Sequence, residues 1–351
     1  MPRVLHIVTT GAFAGVERYV SDIARASATR GWEVAVVGGD QVRMSAQLAG
    51  VARLEAGATI PRAVWSVSRL GSFDVCHAHM TAAETVAILA TPFHRSPIVA
   101  TRHFAARRGS SRLGRLAAPL IASRVAREIA ISGFAAGRLE RAPGAIVEPG
   151  VRLSACLWRP VNRAVVMLQR LEPEKDTLTG LRAWQLAGLA AEGWTLELFG
   201  DGSERNALER WVAEEEVSGV RFRGWTYDTA GSLSEAGILL APTRAEGLGL
   251  AVLDAMAAGV PVVASASGGH LETVGLLADA PLFPAGDVSA AASMLRFLLA
   301  DEERQRLSSA GRRLVEERFT LDRHVERLLA EYDSLLEARS NPVRGVARRP
   351  T

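Results

Sequence analysis

Glu246 opens a loop spaced by glycines, Gly247-Leu248-Gly249, and a second carboxylate, Asp254, follows eight positions after the first. Behind them a small-residue helical pattern leads to Gly259-Val260-Pro261 and an apolar run at 262–264. Glycines at the mouth of a helix let backbone N–H groups approach an anion closely, and the helix N-terminus favours negative charge. Carboxylates on either side of that mouth accept hydrogen bonds from hydroxyls. A phosphate in the middle with hydroxyls on both flanks is the outline of a nucleotide sugar. The competing reading is a plain loop–helix–strand unit whose acids are only solvated.

A second group of chemically capable residues is Arg170-Leu171-Glu172-Pro173-Glu174-Lys175. Lys175 is the only lysine, against 40 arginines. A compact ammonium kept at the start of a helix suits a point charge reaching a phosphate, while Arg170 offers a bidentate fork. Two cations beside a diphosphate would stabilise the charge that develops as it leaves. The alternative is a surface ion pair among Glu172, Glu174 and Lys175. A third element, Gly11-Ala12-Phe13-Ala14-Gly15-Val16-Glu17, follows the first strand-like run and lets the backbone pass close to a ligand.

The elements that must position these groups show in the apolar periodicity. Strand-like runs at 4–8, 34–37, 75–77, 98–101 and 129–131 alternate with helical segments such as 16–30. That is the βαβ rhythm of a parallel sheet covered on both faces. It restarts after 151–163, read as a linker around Pro160, with runs at 164–168, 196–199, 220–222, 238–241 and 262–264. The fold class is therefore α/β, with two Rossmann-like doubly wound parallel-sheet domains at 1–152 and 153–320 facing across a cleft. Ligands of such sheets bind at the carboxyl ends of the strands. Residues 321–338 read as one amphipathic helix, packing back on the first domain, and 339–351 as a disordered tail.

Composition narrows the function classes. Two cysteines, Cys76 and Cys156, cannot build a disulfide framework. No signal-peptide layout opens the chain, and no apolar run approaches the ~18 residues of a membrane span. The expectation is a cytoplasmic protein. Net charge is +3, but residues 1–152 carry 19 basic and 10 acidic side chains, and 153–351 carry 22 and 28. Between Glu84 and Glu128 there is no carboxylate, only Arg95, Arg102, Arg107, Arg108, Arg112, Arg115, Arg124 and Arg127. This stretch reads either as a peripheral contact with an anionic inner-membrane face or as a solvated basic face. Nucleic acid is disfavoured, because interleaved aromatics, zinc spacing and a recognition helix are lacking.

Taken together, Gly15-Val16-Glu17-Arg18, His77-Ala78-His79, Arg170-Leu171 with Lys175, Gly200-Asp201-Gly202, Glu246-Gly247-Leu248-Gly249-Leu250 with Asp254-Ala255-Met256-Ala257, and Gly268-Gly269 with Glu272 carry a family resemblance. The chain resembles the retaining glycosyltransferases of family 4, which have the GT-B fold, over nearly its whole length. The resemblance implies catalytic roles for His79, Arg170, Lys175 and Glu246. It implies a donor site made by Gly15, Arg170, Lys175, Gly202, Glu246, Gly247, Leu248, Gly249, Leu250 and Asp254. His79 would lie near the transferred sugar, and His103 is a candidate on the acceptor side. Three places depart from the family pattern: Ala14 where a second glycine is common, Glu148-Pro149-Gly150-Val151 in place of Pro-Asn-Gly-Val, and Asp254 in place of Glu. Asp254 is shorter by one bond, ~1.5 Å.

The implied reaction moves a sugar from a nucleoside-diphosphate sugar to the hydroxyl of a sugar, lipid-linked or small-molecule acceptor, with retention of configuration. Asp-x-Asp, the usual carboxylate pair for a divalent metal, is absent, so no metal and no cofactor is expected, the nucleotide sugar being a co-substrate. His77 and His79 share a strand face and could bind metal, but a third ligand of clear spacing does not show. Two rivals stay open. A non-catalytic nucleotide-sugar-binding protein would keep the fold. A nicotinamide-dependent oxidoreductase would share the βαβ rhythm, although Gly200-Asp201-Gly202 lacks the third glycine of the fingerprint. Trp225 and Thr226 are read as core or as a base pocket, the core reading of Trp225 being the preferred one.

Overall fold

The computed structural model describes residues 1–104, 108–109, 112–155, 158–226 and 228–340. The chain divides into two compact units, one formed by Met1–Pro149 with the segment that starts at Leu321, the other by Gly150–Thr320.

The first unit holds strands β1 (Arg3–Val8), β2 (Glu33–Gly38), β3 (Arg53–Glu55), β4 (Val75–His79), β5 (Ile98–Arg102), β6 (Arg127–Ala130) and β7 (Ala145–Ile146). They form one sheet in the order β3-β2-β1-β4-β5-β6-β7, with every neighbouring pair parallel. Strand order reverses between β1 and β4, the switch point at which doubly wound sheets take their ligands. The second unit holds β8 (Ala164–Leu168), β9 (Thr195–Phe199), β10 (Val220–Gly224), β11 (Ala236–Ala241), β12 (Val262–Ser265) and β13 (Leu282–Phe283), in the order β10-β9-β8-β11-β12-β13. Its switch point lies between β8 and β11.

The central strands are continuous apolar runs because helices cover both faces. Val4, Leu5, Ile7 and Val8 on β1 and Ile238, Leu239 and Leu240 on β11 are all buried. The helix Leu321–Ser340 belongs to the first unit, where Val325, Leu328, Leu329 and Tyr332 pack with Tyr19, Val20, Ile23 and Trp32. It runs through Arg339 and Ser340, so these two residues are helical rather than part of a tail; residues 341–351 of that expected tail lie outside the described residues. Three strands escape the periodicity argument. β3, β7 and β13 are two or three residues long, lie at or beside the sheet edges and show no apolar run.

Candidate functional site

Each unit brings a distinct set of polar groups to the carboxyl ends of its strands. In the second unit, the chain leaves β8 through Gln169 and Arg170 and makes a short 3₁₀ turn, Pro173–Lys175. The Gln169 side-chain amide ties this turn down, donating to the Lys175 carbonyl at 3.3 Å and to Thr177 Oγ1 at 3.0 Å. The exit of β11 is stitched to the same turn: Arg244 N donates to the Glu174 carbonyl at 2.9 Å, and Thr243 Oγ1 donates to it at 2.8 Å. These bonds bring residues 71 positions apart into contact, so that Lys175 Nζ lies 2.5 Å from Glu246 Oε2. The two side chains are 18 and 19 % exposed.

Glu246 is shaped on its other side by its own loop. Its Oε1 accepts from Gly247 N at 3.1 Å, and its backbone carbonyl accepts from Gly269 N at 2.9 Å. Burial pushes the carboxyl up, but the charge and hydrogen bond of Lys175, with the His270 ring and the Gly247 N–H, together outweigh it and leave Glu246 below its ordinary range. His270 is buried beside this pair. Burial lowers its pKa, so the ring is neutral. Gly249 caps the helix Leu250–Ala257 at φ +99° and offers no side chain to bond the first-turn N–H groups. A Cβ on Gly249 would sit 3.1 Å from the His270 ring. The helix mouth is therefore open to an anion, with Lys175 and Glu246 at its lip. Leu248 is buried and anchors the loop, Leu250 begins the helix, and Asp254 lies one turn further along, half-buried.

The structure does not join every expected residue to this group. Arg170 is 45 % exposed and paired with Glu174 at 2.6 Å. The surface ion pair in this segment is therefore Arg170–Glu174, and Lys175 reaches Glu246 instead. Gly202 follows β9, and its N–H is held by the Asp201 carboxylate at 2.8 Å. Trp225, at the carboxyl end of β10, is 40 % exposed, which corrects the core reading of that residue.

In the first unit, Gly15 opens the helix Gly15–Ala28, and a Cβ there would meet open space. The preceding loop is fixed by Glu17, which accepts from Ala14 N at 2.8 Å and from Thr10 Oγ1 at 2.7 Å. Ala14 has no side chain to complete a reciprocal capping box. His79 ends β4, and Met80 after it sits at φ +73°, a left-handed conformation costly for a residue with a Cβ.

His79 is part of a histidine assembly that the sequence spacing did not reveal. His6 on β1, His77 and His79 on β4, His103 just after β5 and His324 on the C-terminal helix are all buried. His6 Nδ1 lies 3.1 Å from His79 Nε2, and His79 Nδ1 lies 3.1 Å from His103 Nε2. His77 is bonded through Nδ1 to Tyr332 Oη at 2.5 Å and through Nε2 to Thr101 Oγ1 at 2.7 Å. The expectation that no third ligand accompanies His77 and His79 is thus corrected: the neighbouring strand supplies His6, and one ring nitrogen from each of the three lies within 4.8 Å of the others. Both nitrogens of His77 are already engaged, so a metal there would have to displace a hydroxyl partner.

The basic stretch is smaller than its arginine count suggests. Arg108 is buried and bonds Glu84 at 2.6 Å, Glu128 at 2.7 Å and Glu140 at 3.1 Å. Arg102 is buried against the same three carboxylates, and Arg127 pairs with Glu331 at 2.7 Å. Fold contacts therefore neutralise three of the eight arginines, while Arg107 and the side chains of Arg112 and Arg115 lie outside the described residues. Among the described residues no helix is long and apolar enough to cross a membrane.

Comparison with known proteins accounts for both units. Residues 13–154 match the family described as Glycosyltransferase Family 4, and residues 162–301 match that described as Glycosyl transferases group 1. The chain carries the two domains of a family 4-like glycosyltransferase. It is a member of an enzyme family of the glycosyltransferase type, and its two parallel sheets are those of the GT-B fold. This glycosyltransferase is 30% identical over 221 residues to an exopolysaccharide phosphotransferase of Streptomyces coelicolor, a match covering 62% of this chain and 23% of that protein. It is 29% identical over 211 residues to the phosphatidyl-myo-inositol mannosyltransferase of Propionibacterium freudenreichii, covering 56% and 53%. The chain thus spans under a quarter and about half the length of these two relatives. The structure of Anabaena HepE in complex with UDP and glucose superposes with a TM-score of 0.81 over 95% of this chain and 100% of that one, at 19% identity, a likeness of fold.

Proposed function

We propose that this glycosyltransferase moves a sugar from a nucleoside-diphosphate sugar to an acceptor hydroxyl, with retention of configuration and without a divalent metal. The observation that carries this reading is the Lys175–Glu246 pair at the mouth of an uncapped helix, at the switch point of the second sheet. Lys175 and the first N–H groups of the helix Leu250–Ala257 would hold the diphosphate, and Glu246 would accept from sugar hydroxyls. Asp254 would take the ribose hydroxyls. Arg170 would join once its contact with Glu174 exchanges for phosphate.

In the step itself the acceptor oxygen forms a bond to the anomeric carbon. The bond from that carbon to the diphosphate oxygen breaks, and its electron pair leaves with the diphosphate. The acceptor proton goes to the departing phosphate oxygen. Lys175 stabilises the negative charge that grows there, which is the largest contribution a fixed cation can make. A lipid-linked acceptor is in keeping with the phosphatidyl-inositol substrate in the name of the Propionibacterium relative. A UDP-linked donor is in keeping with the ligand of the HepE structure.

The test is calorimetric titration with UDP, GDP, ADP, TDP and NADH in the presence of a chelator. Micromolar binding of one nucleoside diphosphate is the expected result. Selective binding of NADH would overturn the assignment, and binding of none would leave a protein without a donor site. The anomeric configuration of the product, read by NMR coupling constants, decides retention.

A further inference from the structure

The first sheet is covered by two helical layers of opposite character. One layer is the helices Gly15–Ala28 and Gln41–Leu48 with the C-terminal helix Leu321–Ser340, over Val4, Val8, Val36 and Val99. The other is built on the helices Ile60–Ser68 and Met80–Leu89, over Leu5, Ile7, Val37, Ala78 and Ala100, with Thr91–His94 and Arg112–Arg124 packed beside them.

Carboxylates separate the two layers. The helices of the first carry Asp22, Asp322, Glu326, Glu331, Asp333 and Glu337 besides the buried Glu17. The helices of the second carry only Glu84, which is buried against Arg108. Asp74, the other acid between Glu55 and Glu128, lies in the connection before β4 and accepts from Arg3 N at 2.7 Å. Arg62, Arg69, Arg95 and Arg124, on these helices or at their ends, are exposed, and none pairs with a carboxylate among the described residues.

Apolar side chains stand out among these arginines. Trp65 is 45 % exposed and lies against two guanidiniums, with Arg62 at 4.3 Å and Arg69 at 4.7 Å from its ring. Leu89 and Phe93 are exposed, and Leu116 and Leu120, one turn apart on Arg112–Arg124, are 79 and 63 % exposed. Among the described residues the helices of the first layer expose one large apolar side chain, Val42. Single exposed apolar residues are ordinary, but a set of them in one layer that shows no carboxylate marks an interaction surface. A ring at headgroup depth with guanidiniums reaching phosphates is how a peripheral protein meets a bilayer, and an anionic leaflet attracts such cations. A protein partner would have to be acidic and apolar across several helices, whereas a lipid leaflet has that pattern everywhere.

We propose that the outer face of this layer docks on an anionic lipid bilayer, with Trp65, Leu116 and Leu120 entering the headgroup region and Arg62, Arg69 and Arg124 holding lipid phosphates. This surface is not the arginine run between Glu84 and Glu128 as the sequence shows it. Three arginines of that run are spent inside the fold, and the Arg62–Trp65–Arg69 group lies outside it. The docking does not rest on the glycosyl-transfer reading; where that reading holds, it brings the enzyme to a lipid-linked acceptor.

The test is co-sedimentation of the full chain with vesicles of phosphatidylcholine alone and of phosphatidylcholine mixed equally with phosphatidylglycerol, at low and high salt. Expected are binding to the mixed vesicles only, and its weakening at high salt. Arg62→Gln with Arg69→Gln should weaken binding about 30-fold, the scale of two surface cations. Leu116→Ser with Leu120→Ser should weaken it about tenfold or more. These four side chains are exposed, so both variants should fold, which circular dichroism checks. Arg210→Gln with Arg313→Gln, exposed on the second unit, should bind as the unaltered protein does. No binding to the mixed vesicles, equal binding to the neutral ones, or an equal loss in the Arg210 and Arg313 variant would overturn the surface. So would a dimer in analytical ultracentrifugation that the leucine changes dissolve, since the face would then meet a second copy. Vesicle binding by a protein that transfers no sugar would sink the glycosyl-transfer reading and spare the surface.

Discussion

Lys175 Nζ lies 2.5 Å from Glu246 Oε2, so the sole lysine of the chain is neutralised by a carboxylate that would also face the donor sugar. The pair holds each partner in a definite place before a ligand arrives, and a diphosphate entering beside Lys175 gains a cation already oriented. Lys175→Ala removes that cation and leaves Glu246 partly buried and alone. Turnover should fall by about 100-fold or more, the scale of losing one charge-stabilising donor. Lys175→Arg should recover only part of it, because a planar fork does not replace a point charge between two groups. Steady-state kinetics on both variants, with circular dichroism to check the fold, makes the comparison. Near-normal turnover in Lys175→Ala would remove the assigned role.

Gly249→Ala addresses the helix mouth without touching a charge. The residue sits at φ +99°, where a side chain is strained, and the new Cβ would press on the His270 ring at 3.1 Å. The expected cost is about 1–2 kcal/mol of stability, with a weaker nucleoside-diphosphate affinity as the helix mouth shifts. Calorimetry and thermal melting on the same sample separate the two effects. Full affinity in a destabilised variant would show that the helix mouth is not the anion site.

The glycine-spaced acidic loop can be read from the sequence because its parts are local: Glu246, Gly247, Gly249 and Asp254 lie within nine residues. The central strands were legible for the same reason, as buried apolar runs. What the sequence hid depends on strand adjacency. Only the i, i+2 pair His77 and His79 shows in a linear reading, whereas His6, His103 and His324 join them through the order β1-β4-β5 and the returning C-terminal helix. Arg108 was hidden likewise. It looks like one more member of a basic run until the fold sets it among Glu84, Glu128 and Glu140.

Arg108 gives a stability prediction. Its side chain is fully buried, and Arg108→Met would leave Glu84 with only the long contact to Arg102 at 3.9 Å, and Glu128 with Arg102 at 3.5 Å and Arg141 at 3.2 Å. Breaking a buried pair from one side costs about 3–5 kcal/mol. Urea unfolding of both proteins at pH 7 measures the loss. A loss under about 1 kcal/mol would mean that Arg102 and Arg141 hold the two carboxylates without Arg108.

The histidine assembly predicts how the whole chain responds to acid. Burial lowers His6 and His103 to about 3 and His324 to about 4, against an ordinary value of 6.5. These rings are neutral when folded, while in the unfolded chain they take up protons as the pH drops below 6.5. Their contribution is therefore intact above pH 6.5 and is lost as the pH falls through the window from 6.5 down to about 4. Each ring loses about 1.4 kcal/mol per pH unit inside that window, so the three together lose about 4 kcal/mol per unit. Against a typical total of about 5–15 kcal/mol, that is enough to unfold the first unit near pH 4–5. His77 and His79 are also held well below the ordinary value by burial, so denaturant titrations from pH 7.5 to 5 should show at least this slope, and His324→Gln should remove one ring's share, about 1.4 kcal/mol per pH unit, at the cost of a lower plateau at pH 7.5. A stability that stays level between pH 7 and 5 would mean that the rings are protonated or solvated in the native protein.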